Sequence, residues 1–294
     1  ASAIGVIREA MSHHAVGQGL SSQGSYLIGT VLRRQGQLEA AQDQFFRTRK
    51  RYYNTPEGVA ASLEEAELLL NLGRLDEAAT TLELTANHVA SPNQFANPYI
   101  SEKQLRERID NAYELLYDQE RYDLAASLAN KIKPLVGASV AAKLRADTLH
   151  RWGDFLHASA NGKTGDEAEE LRRQGRKKYR LAGYAFAELA RQRYVTRNYP
   201  TDLWHAGSNF NLGRDFNSAA VVFRKYLTTE ARTERPTVMI ALTEAYLSLN
   251  QIDDAISTIE SCMREFPRDP AIYQARLLGS TAYLEQGNLS RARQ

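Results

Sequence analysis

Six short segments of this chain share one layout, and that layout limits the fold more than any other feature. They are Gly36-Gln37-Leu38-Glu39-Ala40-Ala41, Gly73-Arg74-Leu75-Asp76-Glu77-Ala78 and Glu120-Arg121-Tyr122-Asp123-Leu124-Ala125, then Arg214-Asp215-Phe216-Asn217-Ser218-Ala219, Asn250-Gln251-Ile252-Asp253-Asp254-Ala255 and Gly287-Asn288-Leu289-Ser290-Arg291-Ala292. Each runs from Gly, Asn or a polar residue through one spacer to a large apolar residue, with alanine three positions on. A helix–turn–helix hairpin needs that order. Gly or Asn adopts the left-handed conformation that ends the first helix. The apolar residue opens the second, and an acid behind it, as at Asp76, Asp123 and Asp253, meets the positive helix N-terminus. The alanine lies where two helices approach too closely for a larger side chain.

The alanines measure a period. Ala41 to Ala78 is 37 residues, Ala78 to Ala125 is 47, and Ala182 lies 57 further on; the next steps are 37 to Ala219, 36 to Ala255 and 37 to Ala292. The two long steps read as one period plus insertions of about 10 and about 20 residues, carried in loops as repeat arrays carry them. Between turns, apolar residues keep helical spacing, as in Ile4, Ile7 and Met11, or Leu75, Ala78, Ala79 and Leu82, or Ile252, Ala255, Ile256 and Ile259. Sustained two-residue alternation is absent, and none of the eight prolines breaks a strong helical pattern.

These hairpins resemble tetratricopeptide repeats. The family's first helix carries a large-small pair followed three residues later by an aromatic or Leu, as in Ile28-Gly29 with Leu32, Trp152-Gly153 with Leu156, and Ala206-Gly207 with Phe210; Leu242-Thr243 with Tyr246 is a looser match. Its second helix carries the alanine and a large residue four on, as in Ala41/Phe45, Ala78/Leu82, Ala182/Phe186, Ala219/Phe223 and Ala255/Ile259, and Pro267 stands at the closing proline. The period exceeds the family's 34, and Ala112-Tyr113 replaces the large-small pair in the third repeat. The resemblance implies an all-α, right-handed α-solenoid. It divides one array over 1–294 into a partial repeat 1–14 and repeats near 21–55, 58–91, 104–136, 138–194 with an insertion, 200–232, 236–268 and a truncated 271–294. Ala3, Ile7 and Ala10 match a second helix without its first, and neither end carries the polar face of a capping repeat, so the segment is expected to come from a longer array.

Stacked hairpins leave a concave face lined by first helices, suited to extended peptides, helices or other subunits. The resemblance places there Tyr26, Thr30 and Arg33, then Glu67 and Asn71, then Asp110, Glu114 and Tyr117. His150, Asp154 and His157 follow, then Trp204, Ser208 and Asn211, and last Glu244 and Thr281. That gives a basic end near Arg33 and Arg34 and an acidic middle near Asp110, Glu114 and Asp118. Asp110, Glu114 and Asp154 would repel a peptide carboxylate, so the Lys/Asn/Arg clamp of some family members is not expected. Trp204 is the best single anchor, although packing between repeats would use it equally well.

Other constellations point to no chemistry. His150, Asp154 and His157 share one helix face at i, i+4 and i+7, but that spans about 10 Å of rise, too far for one metal ion, so a polar face is the better reading. His13-His14 reads as a surface pair and Cys262 as a buried structural thiol. The Gly-rich loop Ala158 to Gly165 contains Gly162-Lys163-Thr164, yet it lacks the preceding glycine and strand of a phosphate loop and reads as a turn. No nucleophile elbow, HExxH or dinucleotide fingerprint is present. The segment Arg172-Arg173-Gln174-Gly175-Arg176-Lys177-Lys178-Tyr179-Arg180 carries six basic residues, but Asp166-Glu167-Ala168-Glu169-Glu170 lies just before it. Pairs such as Glu169–Arg173 can form on a long second helix from about Asp166 to Arg193 that projects past its neighbours.

Bulk charge agrees: 37 basic residues stand against 35 acidic, a net +2, which disfavours a polyanion binder working by total charge. One cysteine excludes an internal disulfide, and no apolar run approaches the length of a membrane span. The expectation is a non-enzyme without cofactor or metal, a scaffold that binds a protein or peptide through its groove and exposed edges. Two alternatives stay open: a structural subunit of a larger, self-assembling array, and a regulator touching nucleic acid through 172–180, which the neighbouring acids disfavour. Few Cys with many Gln and Arg hint at a bacterial protein, of the cytoplasm or the cell envelope.

Overall fold

The computed structural model describes residues 2–12, 17–88, 96–229, 231 and 233–293. His13 and His14 lie outside the described residues. Sixteen helices and no strand occur among the described residues. Contacts gather into two compact units, Ala1–Ala141 and Ala142–Gln294.

The first unit opens with α1 (Ala3–Ser12), followed by three hairpins: α2 (Gln18–Arg34) with α3 (Leu38–Arg51), α4 (Pro56–Asn71) with α5 (Leu75–His88), and α6 (Glu102–Asp118) with α7 (Tyr122–Lys131). The single turn α8 (Lys133–Val136) follows because Pro134 cannot continue α7 and instead occupies the first turn of a new helix. The second unit holds most of α9 (Ala138–Asn161) with α10 (Gly165–Gln192), then α11 (Tyr199–Leu212) with α12 (Phe216–Leu227). Next come α13 (Arg235–Ser248) with α14 (Ile252–Glu265) and α15 (Ile272–Glu285) with the short α16 (Leu289–Ala292). Pro56, Pro200 and Pro236 sit in the first turns of their helices, where the missing amide costs nothing.

The six turn segments share one geometry. Gly36, Gly73, Glu120, Arg214, Asn250 and Gly287 all have positive φ, between 55° and 81°. At each, the next amide reaches five residues back, as in Gln37 to Leu32, Arg74 to Leu69, Arg121 to Leu116 and Asp215 to Phe210. This closes the first helix with a Schellman motif. Glu120 and Arg214 do so without being glycine. Of the alanines that mark the period, Ala41, Ala78, Ala125, Ala182, Ala219 and Ala255 are completely buried, and Ala292 is half-buried.

The large-small pairs pack as a pair of shapes. Gly29 faces the Phe45 ring and Gly207 faces the Phe223 ring, so the glycine lets the aromatic four residues past the alanine lie against the first helix. The fourth hairpin departs from this. Gly153 is met by Tyr179, two helical turns before Phe186, and Phe186 stacks instead on His205 of α11 at 5.1 Å. In the third hairpin, Tyr113, Tyr117 and Tyr122 form a chain of rings in place of the glycine contact.

α1 seats on α2 through Met11 and Ile7, which close over Gly24, with Ala3 and Ala10 exposed. Two local expectations are corrected. Residues 158–161 are the last turn of α9 rather than loop, leaving a short turn before α10. The 28-residue α10 is paired with a 24-residue α9, so the whole hairpin is long. No helix of the described residues is long and apolar enough to cross a membrane.

Candidate partner-binding groove

In the first unit the first helices α2, α4 and α6 are joined by a ladder of charges. Arg33 donates to Glu64 and, through Nη2, to Glu67 Oε1 at 2.9 Å. Arg108 Nη1 donates to Glu64 Oε1 at 2.8 Å and stands 3.3 Å from Glu67. Glu64 is nearly buried and shared by both guanidinium groups. Burial alone would lower the Arg33 pKa, but hydrogen bonds and charge from Glu67 and Glu64 outweigh it, and the net direction is upward. Two arginines and two glutamates thus neutralise one another, and Arg33 is part of the frame rather than a free basic end.

Beside this ladder lies a cavity of about 170 Å³ between α4 and α6. Leu63 and Leu70 of α4, Leu82 of α5, and Ala112 and Leu115 of α6 make an apolar floor. Glu67, Asn71, Arg108 and Asn111 make a polar rim, with Asn71 and Asn111 exposed. The α6 residues recur at i, i+3, i+4 and i+7, one stripe of that helix. Burial fixes the floor, and the ion pairs fix the rim.

Glu67 and Asn71 line this cavity, as their place in the pattern suggests. Asp110 and Glu114 are exposed on α6 but belong to another stripe, each one position off the Arg108–Asn111–Leu115 line, or about 100° round the helix. Tyr26 is buried: its ring packs 5.8 Å from Phe45 and 4.9 Å from Tyr99. Thr30 bonds back to the Tyr26 carbonyl. Arg108, Asn111 and Leu115 line the cavity without having been marked by the sequence pattern, and Glu64 joins them from the ladder beside it. The pattern marks outward-facing positions of each helix, whereas a groove between neighbouring first helices is lined by one flank of each.

In the second unit, His150, Asp154 and His157 face α10 and α11. His150 Nδ1 is 2.9 Å from Asn209 Oδ1, and its Nε2 is 3.6 Å from Asp154 Oδ2. Asp154 Oδ1 accepts from the Tyr179 hydroxyl at 2.7 Å, and burial with this bond pushes the Tyr179 pKa up. His157 packs 5.3 Å from the Tyr179 ring, and burial, then Arg176 and Arg172, push its pKa down. Among the described residues no three His, Cys, Asp or Glu side chains stand where they could hold one metal ion. Trp204 is half-buried, its ring 5.8 Å from Phe223. Ser208 Oγ and Asn211 Oδ1 are buried without a hydrogen-bond partner. Glu244 accepts from Gln274 at 3.2 Å, and Thr281 bonds to its own helix at Leu277.

The basic run of α10 is partly answered by its acids, in a different pairing from the one expected. Glu169 takes Arg176 and Arg172, while Arg173 bonds Glu170. Cys262 is buried under Pro236, and burial, then Asp269 and Glu265, push its thiol up to about 11.

Repeated hairpins closed by left-handed turns, glycines set against rings and buried alanines define a helical-hairpin repeat protein. The family model described as tetratricopeptide repeat matches residues 26–94, from within α2 to beyond α5. The resemblance read from the turns holds there. No curated protein matches in sequence. Among solved structures, the chain is similar to the C-terminal part of a TPR repeat-containing protein from Cytophaga hutchinsonii, with 14% identity, 91% of each chain covered and a TM-score of 0.41. It is also similar to a tetratricopeptide repeat protein from Parabacteroides merdae, with 13% identity, 94% of this chain and 90% of that one covered, and a TM-score of 0.33.

Proposed function

We propose that this chain is a non-catalytic scaffold that binds a segment of a partner protein along the flank between α4 and α6. One observation carries the reading: an apolar-floored cavity opens between two first helices, under exposed amides of Asn71 and Asn111. An aliphatic side chain of the partner fills the floor. The two amides, each both donor and acceptor, bond the partner's backbone. The Arg33–Glu64–Arg108–Glu67 ladder holds the rim in place before binding, which lowers the ordering cost of association.

Selection of displayed random peptides against the protein tests this. Selected peptides should carry a Leu, Ile or Met anchor, and Asn111→Ala and Leu115→Asp should each weaken them at least tenfold while helicity is kept. Selected peptides that bind both variants undiminished would remove the reading.

A second reading, a structural subunit that associates with its own kind, is favoured by Tyr273, Leu277 and Leu284 on α15 and Leu289 on α16. Each of these large apolar side chains is more than half exposed, and Tyr273, Leu277 and Leu284 fall at i, i+4 and i+11, on one face of α15; exposed apolar patches mark association surfaces. Sedimentation across a concentration series tests it: a monomer at all concentrations would remove it.

A further inference from the structure

The long hairpin of the second unit has a concave site of its own. An open cavity of about 550 Å³ lies between Trp152 of α9 and the face of α10 bearing Arg173, Lys177, Lys178 and Arg180. Four basic side chains there meet one carboxylate, Glu170. That carboxylate is already engaged by Arg173 and by the Gln174 amide. Lys178 holds its ammonium 3.1 Å from the centre of the Trp152 ring, and Arg180 is tied to the turn before α12 by a 2.7 Å bond to the Gly213 carbonyl. Lys177 is exposed at the cavity's edge. Two of the four positive charges, on Lys178 and Arg180, are therefore held at fixed points beside a concave space, with Lys177 exposed next to them. Fixed charges in a concavity focus the local potential.

We infer that this cavity is a docking site for an acidic peptide segment of a partner protein, with carboxylates meeting Lys177, Lys178 and Arg180 beside the Trp152 ring. A nucleic acid fits less well. The one aromatic face is covered by the Lys178 ammonium, which leaves no platform for a base to stack on. Glu170 interrupts the track a phosphate backbone would follow. A short peptide with spaced carboxylates avoids both obstacles, since it needs neither stacking nor an unbroken basic path.

The test is fluorescence anisotropy of a labelled octapeptide of alternating Glu and Ala, at about 50 mM and about 300 mM salt. An oligothymidylate of equal length serves as the second probe. The octapeptide should bind at low salt and weaken at least tenfold at high salt. Lys177→Glu should weaken it at least tenfold, Lys177→Arg should keep it, and Asn111→Ala in the first-unit groove should leave it unchanged. Four results would overturn the proposal: no binding of the octapeptide at low salt, undiminished binding by Lys177→Glu, equal loss in Asn111→Ala, or displacement of the peptide by less oligothymidylate than peptide. Lys177 is exposed, so unaltered helicity and melting of its variants show that any loss is local.

Discussion

A β-carbon on Gly29 would stand 2.6 Å from the ring of Phe45, closer than packed atoms come. Gly207 meets Phe223 in the same way in the second unit. The contact joins the two helices of a hairpin, and the ring has no room to retreat because Phe45 and Phe223 are completely buried. Gly29→Ala and Gly207→Ala should each destabilise the protein by about 1–3 kcal/mol, the range for overpacking a filled core. Gly279→Ala is the control, since its β-carbon would find ordinary contacts at 3.6 Å and beyond. It should be neutral, or stabilising by up to about 1 kcal/mol through helix propensity. Chemical denaturation of the three variants checks this.

Glu120 and Gly73 stand at the same place in successive turns, both with positive φ. No atom lies within 4 Å of where a Gly73 side chain would begin, so only backbone strain opposes one there. Gly73→Ala should cost about 1 kcal/mol, and Glu120→Gly should gain up to about 1 kcal/mol, from the cost of left-handed backbone at a residue with a β-carbon. Thermal melts that moved in the same direction for both would contradict the shared geometry.

Glu57 is a buried carboxylate in the first turn of α4. Burial raises its pKa, but bonds from its own backbone amide, the Tyr99 hydroxyl at 2.9 Å and the Ser22 hydroxyl at 3.0 Å outweigh that, and the net direction is below 4.5. A depressed carboxyl stabilises the fold above its unfolded pKa and stops doing so as pH falls through the folded value. The Tm advantage of the wild type over Glu57→Gln should therefore be full above about pH 5 and close as pH falls below about 4.5. An advantage constant from pH 7 to pH 3 would show that the carboxylate charge is not held by these bonds.

Cys262, buried under Pro236 with its thiol pushed up to about 11, is a natural reporter of opening in the second unit. A thiolate is the reactive form, so a disulfide reagent at neutral pH should modify Cys262 only as fast as α14 opens. Its rate should rise by orders of magnitude in denaturant. Rapid modification of the native protein would mean that the α13–α14 packing is looser than described.

Local chemistry was legible in the sequence, and long-range pairing was not. A left-handed residue followed by an apolar one and an alanine is a backbone requirement written in consecutive positions. Glu120 and Arg214 could therefore be placed in turns although neither is glycine. The buried alanines followed for the same reason. Arg108 and Glu64 are 44 positions apart, and nothing in either helix's own periodicity announces their bond. The register of α6 was blurred where Ala112-Tyr113 replaces the large-small pair. The pattern there marks Asp110 and Glu114, whereas the cavity beside α4 is lined by Asn111, one position away. In the fourth hairpin the added turns allowed Tyr179 to take the place read for Phe186, a choice that depends on where α10 lies against α9.

If a partner lies in the groove between α4 and α6, site-specific photocrosslinking in the native cells will capture it. A photoreactive residue placed at position 118, exposed on α6 and three residues beyond Leu115 on the same stripe, leaves the binding amides in place; it is compared with one at position 131, exposed on the second helix of the same hairpin. One dominant protein adduct is expected at 118, lost on adding Leu115→Asp, and none at 131. Adducts of equal yield at both positions, or an adduct at 118 that survives Leu115→Asp, would contradict the groove.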